Sequence, residues 1–291
     1  MPAGTVPVRE SVGAALRFVR ENLRFVVTVA AIFAVVSTII SAVTLSVPQV
    51  GLLTMVANGI LQAFSYAALV GAALYGVGPA RGRWPQDGWK VWFSMVVVGF
   101  FMCIVVFVIT IPASIALVAG PLGRYAADLQ AANSDQAAVM AIMLRFVEEN
   151  PAAVLVTVLF YFVVWLLLTS RLYLAAPASI DAKRTLTFET WNWTKGAMFQ
   201  ISSARLMLLI PAYVLMFALT ALIGRVFGFN VLDPASMQTA LNSNMFGVIL
   251  FEFISSFVAL VLYVSLEAGL SSYLYKGLKP VDAPAAPAPA V

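Results

Sequence analysis

The sequence predicts an all-α polytopic membrane protein, with six transmembrane helices and further amphipathic helices lying at the cytoplasmic and periplasmic interfaces. Three observations predict it. Of 291 residues, 62% are hydrophobic and 10% charged, against about 45–50% and about 25% in soluble domains. The apolar residues gather into long runs divided by short polar clusters, and each run is long enough to cross about 30 Å of hydrocarbon at about 1.5 Å per residue. The basic residues concentrate on alternate connections, as they do when short Lys- and Arg-rich loops stay on the cytoplasmic side.

The chain opens on an amphipathic stretch. At helical periodicity Val8, Val12, Ala15, Val19 and Leu23 share one face, and Arg9, Glu10, Arg17, Arg20, Glu21 and Arg24 share the other. Such a helix is expected in the headgroup layer, with Arg17 and Arg20 as candidate contacts to anionic lipid. The first span, residues 24–47, is too long for a signal-peptide core and lacks a convincing cleavage site, so it is expected to remain as a mature helix. A tight turn with Pro48 and Gly51 leads to the second span, residues 51–77, and the third covers 90–119. A second amphipathic helix, residues 136–149, places Val139, Met140, Ile142, Met143, Phe146 and Val147 opposite Arg145, Glu148 and Glu149. The fourth, fifth and sixth spans follow at 152–176, 202–224 and 245–275, completing a transmembrane domain over residues 1–280. Pro112 and Pro211 remove backbone hydrogen bonds inside spans, where kinks or unwound segments are predicted. The Pro/Ala-rich end, 281–291, is expected to be a disordered tail.

Fourteen of the 17 basic residues fall on one side of this arrangement, leaving Arg124, Arg145 and Arg225 on the other. Both termini are therefore expected in the cytoplasm, which an even number of spans also requires. The heptapeptide LRFVREN at 16–22 returns as LRFVEEN at 144–150, with Glu148 in place of Arg20. Three crossings separate the copies, so they are expected on opposite faces of the bilayer. An inverted repeat and the convergence of two interfacial helices both account for the pair.

The absence of histidine excludes His-ligated metal and His acid–base chemistry, and the single Cys103 excludes an intramolecular disulfide. No metal, cofactor or nucleic-acid partner is expected. The partners expected are the phospholipid bilayer, anionic lipids in particular, and a second copy or another membrane protein. Ionisable groups inside hydrocarbon are costly and are candidates for function. Glu252, Ser256, Tyr263 and Glu267 fall within one stripe of the sixth span by α-helical periodicity. Asn58, Gln62 and Ser65 of the second span and Ser37, Ser41 and Thr44 of the first run at matching intervals. Together they form a candidate polar pathway or headgroup slot, or they join the helices by hydrogen bonds. Glu267 is expected near Arg171 and Arg205 as a structural ion pair, whereas Glu252 has no basic partner in sight except Arg225.

The connection after the fourth span, RLYLAAPASIDAKRTLTFETWNWTKGAMFQ at 171–200, holds a short helix that Thr187 is expected to cap and Gly196 to end. Trp191, Trp193 and Lys195 are candidate headgroup contacts there. Arg171 near a span end, Ala176-Pro177, and the run Trp191, Thr194, Lys195, Gly196 resemble the membrane domain that accompanies some bacterial glycerophosphodiester phosphodiesterases, and the related YciC-like proteins. The resemblance implies a bacterial inner-membrane protein concerned with lipids or envelope integrity. Phosphodiesterase activity is not expected, because the soluble catalytic domain and its metal-binding residues are absent. A non-enzymatic lipid-interacting protein is the first expectation; a secondary transporter or channel with Glu252 in the pathway is the alternative.

Overall fold

The computed structural model describes residues 6–132 and 135–280. The predicted tail at 281–291 lies outside the described residues. The structure is 88% helical, and no strand occurs among the described residues. Six helices are long and apolar enough to cross a membrane: Leu23–Ser46, Gly51–Tyr75, Val77–Ala119, Pro151–Asp181, Met198–Val226 and Met245–Leu278. The chain is an all-α polytopic membrane protein.

Helix α1 (Val8–Glu21) is followed by α2 (Leu23–Ser46) with Asn22 at the joint. A 3-10 turn, Pro48–Val50, leads into α3 (Gly51–Tyr75). Gly76 stops α3 at φ 88°, a conformation favoured by glycine because no Cβ clashes there. The next helix, α4 (Val77–Ala119), is 43 residues long and starts well before the predicted residue 90. Its early turns form because buried Asp87 bonds Lys90 at 2.9 Å and meets Arg83 at 3.6 Å, pairs at i,i+3 and i,i+4 that hold a helix through a polar stretch. After a 3-10 segment, Pro121–Tyr125, come α5 (Ala126–Ala132), α6 (Gln136–Glu149) and α7 (Pro151–Arg171). The chain then forms α8 (Ala175–Asp181), α9 (Glu189–Trp193), α10 (Met198–Val226) and α11 (Pro234–Ser243). It closes with α12 (Met245–Ala259) and α13 (Ser265–Leu278), joined without a break by a π-helical segment, Leu260–Val264. Helix α10 runs without interruption through Pro211, and α4 through Pro112, so neither proline unwinds its span.

The structure forms two compact units. The larger joins the chain up to Val96 with the chain from Ser170 onward. Its core rests on small residues that let helices approach closely, since two apolar helix surfaces in lipid gain mainly from packing. Val26, Ala30, Ala34 and Ser37 form the buried edge of α2, which packs most extensively on α12 and α3. On α13 nearly every residue from Ser265 to Leu278 is buried. Tyr66 of α3 meets Ser271 of α13 through a buried hydroxyl pair at 2.8 Å.

Helix α1 uses its apolar stripe differently from the sequence expectation. Ala15 is fully buried, and Val12 and Val19 pack with it against the core formed by α10 and α13. A Cβ on Gly269 would lie 3.1 Å from the Ala15 Cα, so the two helices meet where α13 has no side chain. Val12, Ala15 and Val19 of the stripe are therefore covered by protein, while Leu23, Arg9, Glu10, Arg17 and Arg20 are exposed.

The second unit, Val97–Thr169, contains the later part of α4, α5, α6 and most of α7. Its polar knot joins Tyr125, Asp128, Arg145, Glu149 and Asn150. The Tyr125 hydroxyl donates to Glu149, Arg145 pairs with Asp128, and the Asn150 amide donates to Tyr125 Oη at 3.1 Å. That bond to Glu149 holds the Tyr125 hydroxyl above its ordinary titration range.

The two heptapeptides share a local device. Asn22 Nδ2 donates to the Phe18 carbonyl at 2.9 Å, and Asn150 Nδ2 donates to the Phe146 carbonyl at 3.2 Å. In both copies the asparagine side chain adds a second hydrogen bond to a carbonyl that already accepts the asparagine's own backbone N–H, and the next helix begins directly after it.

Candidate functional site

Helices α2, α3 and α12, with Leu241 of α11, border an open slot of about 460 Å³, whose largely apolar walls carry the polar side chains of Thr38, Ser41, Thr44, Thr54, Asn58 and Glu252. Thr44 Oγ1 donates to Thr54 Oγ1 at 2.8 Å across the turn between α2 and α3. Ser256 Oγ donates to Glu252 Oε1 at 3.3 Å, one helical turn along α12. Thr38 Oγ1 is buried without a hydrogen-bond partner among the described residues. The periodicities of three separate spans thus converge on one volume.

The stripe expected along the sixth span does not run through, however. Between Ser256 and Glu267 the Leu260–Val264 segment adopts i→i+5 bonding. Such a turn takes about one residue more than an α-turn, which rotates everything after it by roughly a quarter of a turn. Glu252 faces the slot with α2 and α3, whereas Tyr263 and Glu267 belong to another neighbourhood. The Tyr263 ring lies 6.4 Å from that of Tyr213. Of the remaining candidates, Gln62 is exposed rather than joined to Asn58, and Ser65 borders a different groove.

Glu267 shares its surroundings with Arg205, Tyr66 and Tyr173. Arg205 is 4% exposed, donates to Ser170 Oγ at 3.0 Å and lies with its guanidinium 4.6 Å from the centre of the Tyr173 ring. Ser202 Oγ also donates to Ser170 Oγ, at 3.0 Å. Arg205 and Glu267 lie close enough for their charges to act on each other, as the expected pairing of the two requires. One member of the expected triad lies elsewhere: Arg171 has its guanidinium 4.7 Å over the Trp191 ring. The reason is local, since α9 carries Trp191 to the end of α7. There Thr194 Oγ1 donates to the Arg171 carbonyl at 2.9 Å.

The connection after α7 proves to be a folded plug. Ala175 to Ile180 are buried in an unbroken row. Ser179 Oγ donates to the Leu186 carbonyl at 2.9 Å and accepts the Leu186 N–H at 2.9 Å. Thr187 does not cap α9: Phe188 occupies the cap position, Glu189 Oε2 accepts the Thr187 N–H at 3.1 Å, and the helix ends at Trp193, before Gly196. Lys195 is exposed. Trp193 is half-buried, its ring 6.3 Å from that of Tyr275.

Two further cavities were not legible beforehand. The first, about 450 Å³, is walled by Tyr75, Arg83, Asp181, Lys183, Arg184 and Lys279 together with Trp193 and Tyr275. At its centre Asp181 accepts hydrogen bonds from the Tyr75 hydroxyl at 2.6 Å and the Tyr275 hydroxyl at 2.7 Å, and it pairs with Lys279. Arg83 stacks 4.9 Å above the Tyr75 ring. The second is an apolar groove of about 740 Å³ between α2 and α3, with Val29, Ile32, Ile60 and Leu61 among its walls and Arg81 and Trp84 at one end. The basic residues of both were visible as topology signals, but nothing in their spacing indicated a shared cavity.

Comparison with protein-family models, with curated proteins and with solved structures finds no match. The fold and its apolar spans define a multi-pass membrane protein.

Proposed function

We propose that this chain is a non-enzymatic, lipid-binding protein of the bacterial inner membrane that holds an anionic phospholipid along its first two spans. The observation that carries the proposal is the groove between α2 and α3. From Phe25 to Ile40 it follows fifteen residue steps of α2, or about 22 Å of helix, enough to take the roughly 15 Å of one leaflet's hydrocarbon together with the start of a headgroup. Its walls are apolar, and its end carries Arg81 beside Trp84, the residue types that meet phosphates and headgroups at the membrane surface. Arg81 has neither a hydrogen bond nor an ion pair among the described residues. The skew of basic residues supports both termini in the cytoplasm and the Arg81 end of the groove in the inner leaflet. The exposed Arg17 and Arg20 on α1 add positive charge for anionic lipid. The motifs shared with the phosphodiesterase membrane domain and YciC-like proteins favour the same lipid-related role.

Native mass spectrometry of the detergent-purified protein tests this. Retained phosphatidylglycerol is expected on the wild type and reduced retention on Arg81→Glu, with a smaller loss on Arg17→Glu/Arg20→Glu. No preference for anionic over zwitterionic lipid, or equal retention by Arg81→Glu, overturns the reading.

The Glu252 slot favours a second function, a transporter or channel for a small solute. Proteoliposome flux that depends on Glu252 would support it, and unchanged ion-coupled flux after Glu252→Gln would remove Glu252 from any coupling role.

A further inference from the structure

We infer that the cavity where α3, α4, α8, α9 and α13 converge is a binding site for a phosphate-bearing group. The charges decide it. Four cations border the cavity, Arg83, Lys183, Arg184 and Lys279, against two carboxylates, Asp181 and Glu189. Both carboxylates are already engaged. Asp181 is taken by Tyr75, Tyr275 and Lys279, and Glu189 accepts the Thr187 N–H at 3.1 Å. Arg83 is shared among buried Asp87 at 3.6 Å, the Ile180 carbonyl at 3.3 Å and the Tyr75 ring. The side chains of Lys183 and Arg184 are left over, with no hydrogen bond or ion pair among the described residues.

The backbone presents these two cations in an unusual way. Lys183 has φ 56°, a left-handed conformation that non-glycine residues seldom hold and that a glycine would take without strain. The turn is pinned on both sides, by the Lys183 N–H to the Ile180 carbonyl at 3.3 Å and by Ser179 to Leu186. Two adjacent uncommitted cations thus stand on a rigid turn at the rim of a cavity of about 450 Å³. A dianionic oxyanion matches them, since guanidinium presents a planar pair of donors to phosphate oxygens and ammonium adds a compact charge. The volume exceeds that of a bare phosphate and falls in the range of small-molecule sites, about 300–1,000 Å³. Trp193 and Tyr275 form the wall for whatever the phosphate carries. A phospholipid headgroup and a soluble phosphate both supply this chemistry. The site shares no lining residue with the α2–α3 groove and does not rest on the lipid proposal.

Isothermal titration of the full-length protein in detergent with inorganic phosphate and with pyrophosphate is the first arm. Binding to nanodiscs of phosphatidic acid against nanodiscs of phosphatidylcholine is the second. Binding in the first arm identifies a soluble phosphate, and binding confined to phosphatidic acid identifies a headgroup. In either case Lys183→Ala/Arg184→Ala is expected to weaken affinity by at least about tenfold, the effect of removing one charge-assisted hydrogen bond. Arg124→Ala, on an exposed residue outside the cavity, is expected to leave it unchanged. Lys183→Gly relieves the backbone while removing the charge, so lost binding with retained thermal stability separates recognition from folding. The inference is overturned if neither arm shows binding, or if the double variant binds as the wild type does.

Discussion

Replacing Asp181 by alanine removes the acceptor shared by Tyr75, Tyr275 and Lys279, three residues far from it in sequence. The two hydroxyl bonds, at 2.6 and 2.7 Å, are charge-assisted and lie in a partly buried site. Bonds of that kind contribute about 1.5–3 kcal/mol each when buried. The Tyr75 side chain reaches solvent and recovers part of its loss from water, whereas buried Tyr275 does not. Lys279 and Asp181 are 38% and 23% exposed, which limits their pair to about 1 kcal/mol or less. The total is about 2–4 kcal/mol. At about 2–4 °C per kcal/mol for a chain of comparable size, Tm in detergent falls by roughly 4–16 °C. Asp181→Asn keeps one acceptor and is expected to lose about half as much. Thermal unfolding followed by circular dichroism provides the assay, with Tyr275→Phe and the double variant completing a cycle. The Tyr275 substitution is expected to have little further effect once Asp181 is gone. An Asp181→Ala protein that melts within about 2 °C of wild type, or strict additivity with Tyr275→Phe, would refute the network as a stabilising element.

Three other outcomes are expected. Gly269→Val drives a side chain against Ala15 and Phe18 and is expected to loosen α1 by about 1–3 kcal/mol; limited proteolysis at Arg17 and Arg20 then accelerates, and an unchanged cleavage rate would show that α1 is not held there. Leu69→Ala in the fully buried face of α3 costs about 2–5 kcal/mol, read from denaturant unfolding in mixed micelles, and a loss below about 1 kcal/mol would contradict the packing described. Tyr125 is expected to titrate above its usual value of about 10 because Glu149 accepts its hydroxyl. Its stabilising contribution is complete below that usual value and is lost as pH rises through the higher folded one. Ultraviolet difference titration against Tyr125→Phe checks the shift, and Glu149→Gln should bring it down.

Much of the architecture was legible because it depends on local hydrophobicity. Six apolar stretches became six helices able to span a bilayer, with ends mostly a few residues from those predicted. The clear exception was α4, whose polar beginning is helical through Arg83, Asp87 and Lys90. Asn58, Ser41, Thr44 and Glu252 were also found together, since each lies on a regular helix whose phase can be projected from sequence. Glu267 was projected wrongly from Glu252 because a π turn intervenes without any proline or glycine to mark it. The connection at 171–200 showed only a short helix and candidate headgroup contacts, because its short helices carry too few residues for periodicity to show which face is buried.

The sequence by itself determined the solvent this protein folds in, the number of helices long and apolar enough to cross it and the faces on which small and polar residues gather. Those properties follow from composition and from a repeat of 3.6 residues, and neighbouring residues are enough to set them. Only the tertiary structure decided that Asp181 binds Tyr75 and Tyr275, that α1 turns its apolar stripe onto Gly269, and that Lys183 and Arg184 stand over a cavity with no carboxylate left for them. These depend on contacts between distant parts of the chain, where the rotation of each helix about its axis selects the partner. One irregular turn in α12–α13 is enough to change that rotation.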